Sequence, residues 1–299
     1  MAEFIRNPGM PDDYNVYHIS DVHKGSLACH DEAFTRTVGI IKDDPIGYWS
    51  SGGDLVEGKP HGNPHFAVGT LRRDQLTIEE QFEAVAEDLR PIADKCLYAG
   101  LGNHDIYLMK DGDFMRHIVC RPLGLPQGGY QTIWDGGKVR VFHWHGRNAM
   151  PRGAKDPIQR EANQRAWLVN RLAPMFGNAH LMLMSHVHSL LVQPPLEQLG
   201  LLARGDSVRA RHFIEPAQTV KTRDPVTKKV DSREYLPPLA RWYGITGCYR
   251  RSGIIHRSDG GSVPVPDYSE VAGYPPSMVG HLRTEVRDGK IRDVVPVLM

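Results

Sequence analysis

Residues 16–23 read Val-Tyr-His-Ile-Ser-Asp-Val-His, a run suited to a buried strand that passes straight into an acid and a histidine two positions apart. In extended backbone, residues at that spacing project to one side, so Asp21 and His23 can converge on a cation. The pattern repeats outward from there. Phe34, Val38 and Ile41 recur at helical spacing and predict a helix within residues 31–43, which Pro45 closes. Gly47-Tyr48-Trp49-Ser50 then predicts a second strand, leading into Gly52-Gly53-Asp54.

Residues 55–75, rich in Gly, Pro and His, read as a loop of about twenty residues, a length that favours a functional role over a mere connection. Thr77 followed by Glu80 is a capping-box pattern opening a helix with the apolar face Ile78, Phe82, Val85 and Leu89; Pro91 kinks or ends it. The strand Cys96-Leu97-Tyr98-Ala99 delivers Gly102-Asn103-His104-Asp105. Val139, Val141, His143 and His145 share one side of a later strand by the two-residue period. Asp156-Pro157 starts a helix with the stripe Ile158, Ala162, Trp167 or Leu168, and Leu172. Leu181-Met182-Leu183-Met184 is an apolar strand ending in Ser185-His186-Val187-His188, and Asp288-Gly289 is a hairpin signal between residues 282–286 and 291–295.

This alternation predicts an α/β domain over residues 14–190, with each polar cluster at the carboxyl edge of a sheet. Residues 14–299 are read as a single domain. Within it, residues 204–275 have many Pro, Gly and Arg residues and only short β-like runs such as Trp242-Tyr243-Gly244-Ile245-Thr246, and form an irregular, β-rich, basic accessory insertion.

The chain has 299 residues, 40% of them hydrophobic and 24% charged, with a mean hydropathy of −0.40, the composition of an ordinary globular protein. Lys plus Arg number 36 against 35 Asp plus Glu, and the formal charge of +1 excludes a uniformly basic nucleic-acid binder. The balance is uneven. Between Arg204 and Arg257 there are 12 basic against 5 acidic residues, a local +7 set against −6 elsewhere. With Tyr235, Trp242, Tyr243 and Tyr249 interspersed, the 204–257 segment has the composition of a surface that binds phosphates and stacks bases of DNA or RNA. A solvated accessory segment whose aromatics pack on the main domain has the same composition.

Cys29, Cys96, Cys120 and Cys248 lack CxxC spacing and predict buried thiols rather than disulfides or a zinc site. There is no run of about 18 apolar residues and no signal-peptide core, so the expectation is a cytoplasmic protein with no membrane partner. Fifteen histidines make histidine the residue to follow. Carboxylate oxygen, amide oxygen and imidazole nitrogen, with no thiolate, suit manganese, iron or zinc better than Cu(I) or an iron–sulfur cluster.

The ordered set Asp-x-His (21–23), Gly-Asp (53–54), Gly-Asn-His-Asp (102–105), His-Gly (145–146) and His-x-His (186–188), each after a strand, resembles the signature of the calcineurin-like metallophosphoesterases. The resemblance spans residues 16–190; Ser185 stands where that family has Gly. It implies an α/β fold of four layers, an αββα sandwich with the metal site at the carboxyl ends of the strands. It also implies two divalent metal ions, manganese first, with iron or zinc as alternatives. Asp21, His23, Asp54 and His188 would surround one ion, and Asp54, Asn103, His145 and His186 the other, with Asp54 bridging. Two cations about 3.5–4 Å apart need such a shared anion. In-line attack at phosphorus by a hydroxide held between the ions would follow. His104 would protonate the leaving oxygen or stabilise the transition state, and Asp105 would orient its imidazole.

Periodicity does not choose between His143 and His145; the following Gly146, as in the family motif, favours His145 and leaves His143 behind a ligand or in the core. Arg147 and Asn148 are candidates to hold a non-bridging phosphate oxygen, or are ordinary loop polarity. His61 and His65 either approach the substrate or are solvated. The expected partner is a phosphate ester. Residues 18–25 are similar to the opening of DNA-repair nucleases in the same family, which favours a phosphodiesterase acting on nucleotides or nucleic acid. A phosphomonoesterase or protein phosphatase is the rival, although Gly-Asn-His-Asp in place of Gly-Asn-His-Glu disfavours the latter. A non-catalytic metal-binding interaction scaffold is the alternative from another class.

Overall fold

The computed structural model of the chain describes residues 2–59, 68–147, 149–151, 153–213, 215–252 and 276–299, and of Arg204 the backbone alone. His61, His65, Asn148, Arg257 and the end of the 204–275 segment therefore lie outside the described residues. In chain order the strands are β1 (Glu3–Arg6), β2 (Tyr14–Ile19), β3 (Gly47–Ser51), β4 (Cys96–Ala99), β5 (Gln131–Asp135), β6 (Arg140–Trp144), β7 (Leu181–Met184) and β8 (Leu190–Gln193). They continue with β9 (Gln198–Arg204), β10 (Ser207–Phe213), β11 (Gln218–Arg223), β12 (Val230–Tyr235), β13 (Trp242–Thr246), β14 (Gly280–Arg287) and β15 (Lys290–Leu298). The helices that bear on the core and the site are α1 (Asp31–Asp43), α2 (Ile78–Leu89), α3 (Asn103–Leu108) and α4 (Pro157–Leu172).

The architecture is mixed α/β. One sheet has the order β15-β14-β2-β3-β4, with β2, β3 and β4 parallel. The other has the order β1-β5-β6-β7-β13-β8, with β6, β7 and β13 parallel. One apolar cluster joins residues of both sheets, including Val16, Tyr98, Trp134, Val141, Leu183 and Leu282. A second joins Phe34, Val38 and Ile41 of α1 and Phe82, Val85 and Leu89 of α2 to Ile19 and Trp49. The third sets Leu168 and Leu172 of α4 against Phe142, Met182, Met184 and Ile245.

Local chemistry accounts for the element ends. Thr77 and Glu80 form the reciprocal capping box at α2, at 3.2 Å and 2.8 Å, and α2 gives way to a tighter turn before Pro91. Asp156 caps α4 by accepting the Gln159 N–H at 2.9 Å. Asp288 and Gly289 take φ of 53° and 70°, the left-handed pair of a two-residue hairpin. The expected stripe on α4 fails in its first half: Ile158 is 79% exposed and Ala162 is exposed, because only the later turns of this helix lie over the sheet.

The accessory insertion needs redrawing. β9 pairs with β10 and β11 with β12 as two antiparallel ribbons outside the main sheets, so the segment is regular where irregular structure was expected. Trp242–Thr246 does not belong to it: β13 is an inner strand of the six-stranded sheet, between β7 and β8. Two of the four aromatic residues cannot stack bases, and Tyr235 and Trp242 are half-buried. Tyr243 and Tyr249 are buried, and Arg241 is wholly buried among main-chain carbonyls, whereas Arg209 and Arg211 on β10 are exposed. Cys29, Cys120 and Cys248 are buried free thiols and Cys96 is a half-buried one. Among the described residues, no helix is long and apolar enough to cross a membrane.

Candidate metal centre

The parallel strands of each sheet end at one edge, and the motif residues stand there. β2 runs into Asp21, β3 into Asp54 and β4 into Asn103; opposite them β6 runs into His145 and β7 into His186 and His188. Asp21, His23, Asp54, His186 and His188 all have left-handed backbone, with φ between 50° and 73°. Residues with a Cβ avoid that region, and strain of this kind collects at functional sites. The left-handed backbone falls on the two histidines and not on Ser185, so the departure from Gly there introduces no such strain.

Hydrogen bonds between turns hold these conformations. Asp21 N–H donates to Gly53 O at 3.0 Å, His23 N–H to Asp54 O at 3.1 Å, and His186 N–H to Asp21 Oδ2 at 3.0 Å, linking the ends of β2, β3 and β7. Gly53, at φ 99°, and Gly102 pass so closely that a Cβ on either would strike the other's turn.

Three donor clusters result among the described residues; two of them gather the motif residues, and the third, His23, Glu57 and His104, shares His23 with the first. In the first, Asp21, His23 and His188 present one ligand atom each within 4.8 Å of one another: His23 Nε2 is 3.2 Å from His188 Nε2, which is 3.4 Å from Asp21 Oδ1. Asp21 Oδ2 is occupied by the Ser20 hydroxyl and the His186 N–H, whereas buried Oδ1 accepts no hydrogen bond and is left to face the cluster. The second cluster is Asp54, His145 and His186. His145 Nε2 lies 3.1 Å from Asp54 Oδ2 and 3.0 Å from Asn103 Oδ1, and His186 Nδ1 lies 2.7 Å from Asn103 Oδ1. With its amide turned, Asn103 would donate from its nitrogen to His145 Nε2, Asp54 Oδ2 and His186 Nδ1; with the oxygen inward, oxygen and nitrogen ligand atoms converge on one point, an arrangement that a cation satisfies. The donor set thus fits divalent cations.

Electrostatics agree. Burial opposes ionisation of Asp54, yet His145 and His104 hold its carboxyl well below the usual range. Burial also pulls His145 down, but the charge and hydrogen bond of Asp54 outweigh it and raise the imidazole to about 9. Burial opposes ionisation of Asp21 too, yet the neighbouring His188 and His145 keep it below the ordinary range.

His104 and Asp105 follow Asn103 on α3. His104 Nε2 is 3.9 Å from Asp54 Oδ2, and its Nδ1 is bonded to the main-chain oxygen of Glu57. Asp105 therefore does not do what was expected of it. Its Oδ2 accepts the N–H groups of Gly102 at 2.7 Å and Asp54 at 3.0 Å, so it orders the turns that carry Asn103 and Asp54, and the imidazole of His104 is oriented by Glu57. Burial, then the charge of Asp54, pushes Asp105 up to about 6.

His143 stays outside the clusters: Nε2 meets the Ser185 hydroxyl at 2.8 Å and Nδ1 the Tyr98 hydroxyl at 3.1 Å, and burial lowers it to about 3. Ser185 also bonds Thr246 Oγ1 at 2.9 Å, so its buried hydroxyl is satisfied. Arg147 is exposed, two residues past His145. Sequence reasoning missed Glu57, a buried acid whose Oε2 lies 3.1 Å from His23 Nδ1; the signal was an acid on the turn just after Gly53-Asp54. Burial lowers His23 to about 4 against the pull of this carboxylate.

No protein-family model matches the sequence, and no curated protein matches it. Among solved structures the chain is similar to the Haemophilus influenzae NAD nucleotidase NadN, at 10% identity and a TM-score of 0.36, over 96% of this chain and 50% of that one. The chain spans about half the length of that nucleotidase.

Proposed function

We propose that the chain hydrolyses phosphate esters with two divalent cations, one held by Asp21, His23, Asp54 and His188, the other by Asp54, Asn103, His145 and His186. The observation that carries this reading is the convergence of acceptor atoms from the carboxyl ends of β2, β3, β4, β6 and β7 into two adjoining clusters. When bound, the cations supply the positive charge that acidifies a water and neutralises phosphate oxygens. Manganese, iron or zinc suits the oxygen and nitrogen donors.

The chain's own groups do the rest. Asp54, its carboxyl kept ionised, is the anion shared between the two positions. His104, anchored at Nδ1 by Glu57 O, turns Nε2 toward the site, where its protonated form donates to the departing oxygen. Asp105 fixes the Gly102 and Asp54 turns. Arg147 and Asn148 are assigned to a non-bridging phosphate oxygen. The three apolar clusters support helices packed outside two facing sheets, the four-layer αββα arrangement. The substrate is assigned as a phosphodiester of nucleotide type, on the character of residues 18–25.

With added Mn²⁺ the protein should turn over bis(p-nitrophenyl) phosphate, and chelation should abolish turnover. A panel of monoesters, diesters, cyclic nucleotides, DNA and RNA then ranks substrates. Absence of turnover on all of them with two ions bound overturns the reading.

A further inference from the structure

Glu57 stands three residues after Asp54 and is 2% exposed. Its two carboxylate oxygens face different partners: Oε2 approaches His23 Nδ1 to 3.1 Å, each atom buried and without a hydrogen bond elsewhere, and Oε1 pairs with Lys59 Nζ. The main chain is equally fixed. Glu57 N–H donates to Lys24 O at 2.8 Å, and Gly58 N–H to Gln81 Oε1 at 2.9 Å, which holds this turn beside the one carrying His23. The far nitrogen of the same imidazole, His23 Nε2, is the atom that faces His188 Nε2 in the first donor cluster.

A neutral imidazole divides between two tautomers, and only one offers a lone pair at Nε2. A carboxylate at Nδ1 settles the matter by accepting the proton-bearing side of the ring, and it makes the opposite nitrogen a better donor to a cation. We infer that Glu57 is a positioning residue for the first cation: it accepts the Nδ1–H of His23 and commits Nε2 to ligation, with Lys59 holding the carboxylate in place. The inference rests on the two-cation reading above. Glu57 touches two imidazoles by separable means, His23 with its side chain and His104 with its carbonyl oxygen. Side-chain substitutions remove the first contact and spare the second.

The test is calorimetric titration of metal-free protein with Mn²⁺, for the wild type, Glu57→Gln and Glu57→Leu. Wild type should bind two ions. Glu57→Gln keeps the volume but no longer selects the tautomer, and should weaken one of the two equilibria by about 10–100-fold while leaving the other in place; Glu57→Leu should weaken the same one at least as much. Two ions bound with wild-type affinity in both variants overturns the inference and leaves the two-cation reading standing. Equal weakening of both ions together with a lower melting temperature marks a merely structural acid and overturns it as well. Fewer than two ions on the wild type removes the reading on which it rests. Should the variants not fold, ¹⁵N NMR of the metal-free wild type decides, with the His23 signal assigned by its loss in His23→Gln: the Nδ1–H tautomer supports the inference and the Nε2–H tautomer overturns it.

Discussion

Asp105 Oδ2 accepts the backbone N–H of Asp54 at 3.0 Å, across 51 positions of the chain, while also accepting the N–H of Gly102 at 2.7 Å. One buried carboxylate thereby sets the separation of the β3 and β4 turns. Asp105→Ala leaves both N–H groups unpaired and should weaken the cation proposed for Asp54 and Asn103 by about 10–100-fold. Asp105→Asn keeps an acceptor oxygen and should lose less. Metal titration of the two variants checks the order, and equal affinity in Asp105→Ala and wild type contradicts it.

In the proposed scheme His104 contributes a proton rather than a ligand, so His104→Asn should leave cation stoichiometry unchanged. Its kcat on an alkyl or sugar phosphodiester should fall by about 10²–10⁴-fold, with KM little altered. A leaving group as acidic as p-nitrophenol needs less help and should show a much smaller loss. The ratio of the two losses is the measurement; identical losses on both substrates rule out the acid role.

In the two-cation scheme, Asp54→Asn removes the charge shared between the two positions. Turnover should fall more than about 100-fold, and the variant should bind at most one ion tightly. Elemental analysis beside the kinetic assay checks both halves, and full activity in the variant contradicts the two-cation scheme.

His281 predicts an acid-labile fold. It is fully buried, with Nδ1 3.0 Å from the Tyr249 hydroxyl, and burial followed by the nearby charge of Arg283 lowers it from 6.5 to about 4. The folded state therefore binds fewer protons than the unfolded state between those values. Its contribution is fully present above the unfolded value and is lost as pH falls from about 6.5 through about 4, by up to roughly 3 kcal/mol. Urea denaturation across that window should show stability rising with pH, with a shallower slope in His281→Gln. His18 and His143, also lowered by burial, keep the slope from vanishing.

Arg241 is a further buried charge. Its guanidinium donates to the carbonyls of Leu236 at 2.7 Å, Phe176 at 2.6 Å, Gly177 at 3.0 Å and Ala173 at 3.2 Å, pinning the start of β13 to the end of α4. Arg241→Leu leaves those acceptors stranded and should destabilise the fold by about 3 kcal/mol or more. Arg241→Lys should recover only part, since one ammonium cannot span four carbonyls. A shift of the urea midpoint at constant m checks both variants.

The strands that end in candidate site residues were legible because periodicity and Gly-rich turns mark them locally, as at Val16 to Asp21 and Leu181 to His186. What depends on distant pairing was not. His143 and His145 look equivalent by alternation, but β6 stops at Trp144, so His145 escapes the strand's register while His143 stays under Tyr98 and Ser185. Glu57 acquires its partner only because its turn pairs beside Lys24, a contact that local pattern does not encode. β13 read as a minor β-like run because the ribbons β9 to β12 separate it in sequence from β7 and β8, its neighbours in the sheet. Asp105 illustrates a third limit: residue type and spacing identified an acid beside His104, and only the backbone path shows which groups it serves.

The left-handed backbone at Asp21, His23, Asp54, His186 and His188 puts a conformational cost on five of the residues proposed to hold cations. Each such residue costs on the order of 1 kcal/mol or more, and glycine relieves that cost while deleting a donor atom. Drift under selection for abundance alone would accordingly erode these positions first. A library sorted only for heat resistance should accumulate glycine or asparagine at them, and its survivors should fold tightly and bind no cation.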